Sequence, residues 1–175
     1  MNSKVTSTLV AILAAFLFSV SPASNPQVLA AVPADEEFVM KAANGGKLEV
    51  ELGRLALRRG RSALVKQFGR RMVTDHTRAG NQLKHLAARK GITLPGDMDA
   101  EGTEAISRLS ALSGSEFDRA YMDMMVSDHE KDVSEFESEA SSGADRDVKA
   151  FARKTLPTLK MHLRMARNTA ARVRG

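Results

Sequence analysis

The sequence predicts an all-α protein built as a bundle of four helices, and three observations lead to this prediction. Ala, Leu, Met, Lys, Arg and Glu are abundant, and these residue types favour helix. Alternating strand-like patterns are absent from the sequence. Apolar residues instead recur every three or four positions along four long segments, residues 35–59, 62–90, 115–141 and 145–174.

The first two predicted helices have recognisable ends. Acidic residues at 35–37 suit the start of the first helix, because negative charge is favourable at a helix N-terminus. Within this helix, the Gly45-Gly46 pair suggests a close approach to a neighbouring helix. The second helix is expected to end at Gly91, with Pro95 just beyond it.

The last two predicted helices begin at short polar caps. We expect the third helix to start with a capping box formed by Ser115 and Asp118. Pro157 lies inside the fourth helix and is expected to bend it one turn before His162, because proline removes a backbone hydrogen bond.

The lengths of the connections limit the topology. A few residues around Gly60 join the first two helices and Ser142-Gly143 joins the last two, so both pairs should form antiparallel hairpins. Residues 91–113 separate the hairpins and include a predicted short helix at 103–112. This stretch is long enough for a ferritin-like crossover, but an up-down-up-down bundle with a long loop remains open.

The first thirty residues have the features of a secretory signal peptide. Lys4 precedes an apolar run at 5–20, breakers follow at 22–26, and Val28-Leu29-Ala30 suits signal peptidase. The domain would then span residues 31–175. We therefore expect a bacterial periplasmic or secreted protein, and the absence of cysteine excludes disulfides and thiolate ligands.

Charge and motifs exclude several classes of function. The net charge is +5, but basic and acidic residues are interleaved, so no nucleic-acid partner is expected. Arginines cluster at 54–61 and 164–174, which suggests weak association with anionic envelope surfaces. A homo-oligomer is left open. Phosphate loops, serine elbows and cysteine nucleophiles are absent, so we expect no enzyme unless Glu49 and His76 act as an acid–base pair.

One candidate site stands out, because each long helix places a polar residue near the middle of its inner face. In a bundle ~40 Å tall all four residues fall in the middle half, at similar depth. Three imidazoles and one carboxylate could bind a transition metal such as zinc, manganese, iron or copper. The candidate metal ligands are Glu49, His76, His129 and His162.

A polar network that ties the bundle together is the competing interpretation, with Glu49, Tyr121 and Asp132 as partners of the histidines. Asp75 and Asp128 should face a neighbouring helix or solvent, and His85 should face solvent. A ferritin-type di-iron site is not expected, since it needs Glu three positions before His. Those positions hold Val73, Val126 and Leu159, while Met72, Met125 and Met165 suit either core packing or Cu(I) binding.

Four stretches resemble the bacterial domain-of-unknown-function family 4142, which carries the label "predicted outer membrane protein". They are FVMKAANGGKLEVELGRLAL at 38–57, VKQFGRRMVTDHT at 65–77, FDRAYMDMMVSDH at 117–129 and FARKTLPTLKMHL at 151–163. The resemblance implies a ferritin-like four-helix fold, an exported bacterial protein and no established activity.

Two functional hypotheses follow. In the first, the protein is a non-enzymatic helical bundle of the cell envelope, acting in stress tolerance or as an interaction module. In the second, it is a metal-binding or metal-dependent redox protein that uses the cluster of histidines and Glu49.

Overall fold

The computed structural model describes residues 33–175, and the predicted signal peptide lies outside this part of the chain. The described residues form helices and connecting loops with no strand, as predicted. Each long helix lies within two residues of its predicted bounds. The helices are α1 (Ala34–Arg59), α2 (Ala63–Lys90), α3 (Ala100–Ser110), α4 (Gly114–Ser142) and α5 (Arg146–Arg174).

The helix ends agree with the sequence at two points and differ at one. Ser62 caps α2, and Gly91 ends it in the left-handed conformation at φ 69°, which glycine adopts without steric cost. The predicted capping box of Ser115 and Asp118 is wrong, because α4 starts one residue earlier and its N-cap is Ser113. Asp118 bonds to another part of the chain instead.

The order of the helices in space distinguishes the crossover from the up-down-up-down arrangement, the two topologies that the sequence left open. The two hairpins α1–α2 and α4–α5 pack together, with α1 against α4 and α2 against α5. Gly60 pairs with Gly114, so the end of α1 lies beside the start of α4. Lys90 Nζ lies 2.7 Å from Asp145, so α2 ends beside the start of α5, at the other pole. The chain therefore crosses the length of the bundle between α2 and α4.

The crossover segment is attached to the bundle along its path. Lys47 on α1 donates to the carbonyl of Gly96 at 3.1 Å, and Asn44 donates to Asp99. Asp99 also caps α3, accepting from Gly102 N at 2.7 Å. The short helix α3 then lies against α1 and α4, so it covers the side of the bundle between these two helices.

The close approach of α1 to α2 occurs at a different glycine pair from the one predicted. A Cβ atom on Gly53 would lie 2.7 Å from the carbonyl oxygen of Gly69, and one on Gly69 would lie 2.8 Å from that of Gly53. Gly45, by contrast, has nothing within 4 Å of an added Cβ. An added Cβ on Gly46 would lie 3.9 Å from His76 Nδ1 on α2, which is an ordinary contact, so the predicted pair lies partly against α2 but is not the point of closest approach. The helix α5 continues through Pro157.

Two apolar clusters fill the bundle, one towards each pole. The cluster towards the α1–α2 turn includes Leu52, Phe68, Met72 and Met125. The cluster towards the α4–α5 turn includes Phe38, Leu83, Phe136 and Phe151. A polar layer separates the two clusters. Among residues 33–175, none of the helices has both the length and the apolar character that a membrane span requires.

Candidate metal centre

The polar layer brings together one predicted ligand from each of the four long helices. Glu49 on α1 is 3% exposed and His76 on α2 is 7% exposed, while His129 on α4 and His162 on α5 are completely buried. The three imidazole rings form a nearly equilateral triangle, with centroids 5.2, 5.4 and 5.7 Å apart. The helical periodicity thus predicted correctly which histidines meet inside the bundle.

Each imidazole places one nitrogen beside an acceptor, and for His129 and His162 this contact is a hydrogen bond. His76 Nδ1 lies 2.7 Å from Glu49 Oε2, and His162 Nε2 lies 3.0 Å from Asp75 Oδ2. His129 Nδ1 lies 2.9 Å from the main-chain carbonyl of Met125. Since all three partners are acceptors, the bonded ring nitrogens carry the hydrogens and donate them.

The other nitrogen of each ring has no partner. His76 Nε2, His129 Nε2 and His162 Nδ1 are all buried without a hydrogen bond. Since the opposite nitrogen of each neutral ring holds the hydrogen, each free nitrogen presents a lone pair. Three lone pairs therefore face the interior of one layer with no donor to satisfy them.

Burial keeps these rings neutral at pH 7. Desolvation lowers the pKa of His76 to about 4 and that of His162 to about 3, because a charged ring loses its hydration in the interior. Burial also lowers the pKa of His129, against the opposing effect of Glu49. Neutral imidazole is the form that binds a metal ion, so the rings need not lose protons first.

The spacing of the rings suits a single metal ion. One nitrogen from each of the three rings lies within 4.8 Å of the others. A tetrahedral zinc ion at ~2.1 Å from one nitrogen of each ring would place the ring centroids about 5 Å apart. The observed centroid distances of 5.2, 5.4 and 5.7 Å are slightly longer than that value, so the rings would move closer together around an ion.

Glu49 and Asp132 complete the layer on the side facing α3. Glu49 Oε1 lies 3.2 Å from His129 Nε2, but their orientation makes no hydrogen bond and both atoms are unpartnered. Burial raises the pKa of both carboxyl groups, and the charge of Glu49 raises the pKa of Asp132 further. Glu49, His129 and Asp132 also offer ligand atoms within 4.8 Å of one another.

Asp75 is the residue of the polar layer whose partner the sequence did not reveal. It was expected to face a neighbouring helix or solvent, and it faces α5, where it accepts from His162. Arg71 Nε lies 2.7 Å from Asp75 Oδ2. Partial burial acts to raise the pKa of Asp75, but the contacts with His162 and Arg71 outweigh it and lower the pKa. Its position beside His76, about 100° around the helix, was the available signal, but only the position of α5 identifies its partner.

The remaining predicted residues take simpler roles. Tyr121 is fully buried, but its hydroxyl has no hydrogen-bond partner, so it does not join the polar network as expected. Its ring stacks on Phe117 with centroids 5.5 Å apart. Met72 and Met125 pack within an apolar cluster, and His85 is exposed to solvent as predicted.

The fold and the layer define a class of protein: an all-α bundle with a buried centre of histidines and carboxylates. Within that class, the chain belongs to the family described as "Domain of unknown function (DUF4142)", whose model matches residues 20–169.

Solved structures of a second family share the fold. A fragment of a DUF305 protein from Deinococcus radiodurans is 17% identical, with a TM-score of 0.70, covering 81% of this chain and 97% of that one. A DUF305 protein from Streptomyces coelicolor is 13% identical, with a TM-score of 0.69, covering 81% of this chain and 92% of that one. A comparison with curated proteins gives no match.

Proposed function

We propose that this protein binds a transition metal ion through His76, His129 and His162, with Glu49 as the fourth ligand. The observation that supports this proposal is the pattern of hydrogen bonds in the buried layer. Each ring has one nitrogen fixed by an acceptor and the other left free, which is the arrangement of metal-binding histidines and their supporting residues.

The competing interpretation, a polar network that only holds the bundle together, accounts less well for these contacts. A stabilising network satisfies its members, and an unsatisfied buried polar atom costs about 1–3 kcal/mol. Here His76 Nε2, His129 Nε2, His162 Nδ1 and Glu49 Oε1 are all left without a hydrogen bond. A cation bound by the three imidazoles would satisfy their nitrogens, and a carboxylate oxygen of Glu49 lies within 4.8 Å of a ligand atom of His129.

The ligand set favours a divalent ion of the zinc type. Three neutral imidazoles and one carboxylate suit zinc, iron, manganese or copper, and zinc commonly binds such a set in tetrahedral geometry. The methionines near the histidines pack in the core, which removes the main argument for a Cu(I) site. A site closed by four protein ligands is typical of binding or structural roles, so we propose metal binding in the periplasm or outside the cell.

A metal-dependent redox function is the second candidate, and one cavity favours it. A small space of ≈ 30 Å³ lies beside Glu49, His76 and Asp132, and apolar side chains line much of the rest of it. This volume is about that of one water molecule. A metal-bound water or a diatomic molecule would fit there and would supply the open coordination position that catalysis needs.

Metal analysis of the untagged protein tests the proposal. After reconstitution with zinc, manganese, iron or copper and removal of excess ion, we expect one tightly bound ion per chain. His76→Ala and His129→Ala should each lose it, while His85→Ala, an exposed histidine on the same helix as His76, should keep it. Absence of stoichiometric metal after reconstitution with all four ions would refute the proposal and favour the structural network.

A further inference from the structure

A groove runs along the bundle between α1, α3 and α4 and ends at the proposed metal centre. Its volume is ≈ 230 Å³, and α3 with the segment before it forms the outer wall. The lining includes six carboxylate side chains and two lysines. The acidic residues are Glu49, Asp99, Glu101, Asp128, Asp132 and Glu135.

Other grooves near the centre have the opposite charge balance. The groove between α1 and α2, which reaches His76, is lined by Lys47 and Lys84 against the single carboxylate of Glu51. The groove beside Asp75 is lined by three arginines. Because a cleft focuses the field of its charged lining, we expect the groove under α3 to attract cations more strongly than the other two.

Glu49 lies at the inner end of the acidic groove, and one oxygen of its buried carboxylate has no hydrogen-bond partner. Glu49 lines the groove, its side chain is 4% exposed, and its Oε1 atom makes no hydrogen bond. Glu49, Asp132 and His129 offer ligand atoms within 4.8 Å of one another, and His129 also belongs to the triangle of imidazoles. The carboxylate ligands of the groove and the nitrogen ligands of the layer are therefore continuous.

We infer that the groove between α1, α3 and α4 is the path by which a divalent cation reaches the histidine centre, with Glu49 and Asp132 as its first inner ligands. This inference rests on the proposed metal binding. Oxygen ligands replace the waters of an entering hydrated ion at the end of the groove. His129 belongs to both ligand sets, so the ion can pass to His76 and His162 while one ligand is kept.

Two glycines provide a test variant, which narrows the acidic groove, and a matched control variant, which narrows the groove between α1 and α2. Gly45 lines the acidic groove, whereas Gly80 lines the groove between α1 and α2 and also the small cavity beside Glu49, His76 and Asp132. Both lie within helices, and an added Cβ meets nothing within 4 Å at either position. The Cβ of a leucine at either site therefore meets no atom, and leucine raises helix propensity equally in both cases.

The experiment measures the rate at which the untagged, metal-free protein takes up Zn²⁺ or Co²⁺, by stopped flow, together with the equilibrium affinity. We expect Gly45→Leu to slow uptake and release about tenfold with little change in Kd, and Gly80→Leu to leave both rates unchanged. We also expect Glu101→Gln combined with Asp128→Asn to slow uptake at low salt by ~10-fold, with the difference disappearing in high salt.

The outcomes separate the entry path from the metal centre itself. If Gly80→Leu slows uptake at an unchanged Kd and Gly45→Leu does not, the ion enters between α1 and α2, and this inference is wrong while metal binding stands. Unchanged rates in both variants would refute the path in the same way. A parent protein that takes up neither ion at equilibrium refutes the path and the proposed function together.

Discussion

Asp118 and His129 are buried polar side chains on the same helix, α4, but the structure treats them differently. Asp118 is 3% exposed, and its two oxygens accept from the backbone N–H groups of Arg61 at 3.0 Å and Ser62 at 2.7 Å. His129 is completely buried, and its Nε2 atom has no partner. A buried group that the chain satisfies stabilises the fold, whereas unsatisfied groups that lie together are the ones that the proposed metal site would use.

An aspartate whose two carboxylate oxygens both accept hydrogen bonds from the backbone occurs at each pole of the bundle. Asp118 joins the second hairpin to the α1–α2 turn. Asp35, at the start of α1, accepts from the backbone N–H groups of Ala144 at 2.9 Å and Asp145 at 3.1 Å, in the α4–α5 turn. Each hairpin therefore holds the turn of the other through one aspartate.

The largest expected effect is the response of stability to metal. An ion present at a thousand times its Kd should raise the free energy of unfolding by ~4 kcal/mol, because it binds only the folded state. His129→Ala should lose this increment, whereas Asp118→Ala should keep it despite its lower stability. Urea unfolding with Zn²⁺ and with a chelator measures both; an equal increment in the two variants would contradict the distinction between the two groups.

Asp118→Ala should lower the free energy of unfolding on the order of 3 kcal/mol, because two buried backbone donors lose a charged acceptor. The loss should be the same with metal and with chelator. Asp123→Ala is the matched control, since Asp123 is an exposed carboxylate on the same helix and pairs with Arg174. That change should cost less than ~1 kcal/mol. A loss at Asp118 that depends on metal would show that this aspartate also serves the centre.

Asp75→Asn should weaken metal binding by about 10- to 100-fold, because Asp75 orients the ring of His162 and increases its basicity. Stability in chelator should change much less, since the amide oxygen can still accept from His162. Competition with a metal-sensitive dye gives the Kd, and Asp123→Asn serves as the control. An unchanged Kd would mean that His162 is not a ligand or that its orientation is fixed by packing alone.

The sequence predicted which residues face the interior of the bundle, because this depends on local periodicity. It did not predict hydrogen-bond partners that lie far along the chain. The inner positions of Glu49, His76, His129 and His162 follow from the 3.6-residue repeat, so their convergence could be predicted. The partner of Asp75 on α5 could not be, because periodicity does not say which helices are neighbours. The capping box assigned to Asp118 was wrong for the same reason, since its true donors lie in the distant α1–α2 turn.

Asp35→Ala gives the smallest expected effect and tests whether burial sets the strength of such a link. Asp35 makes the same pair of contacts as Asp118 but is only half-buried, so water can replace the lost acceptor. We expect a loss of ~1 kcal/mol in urea unfolding, clearly below that of Asp118→Ala and independent of metal. Equal losses would mean that the number of hydrogen bonds, rather than their burial, determines what each aspartate contributes to the packing of the two hairpins.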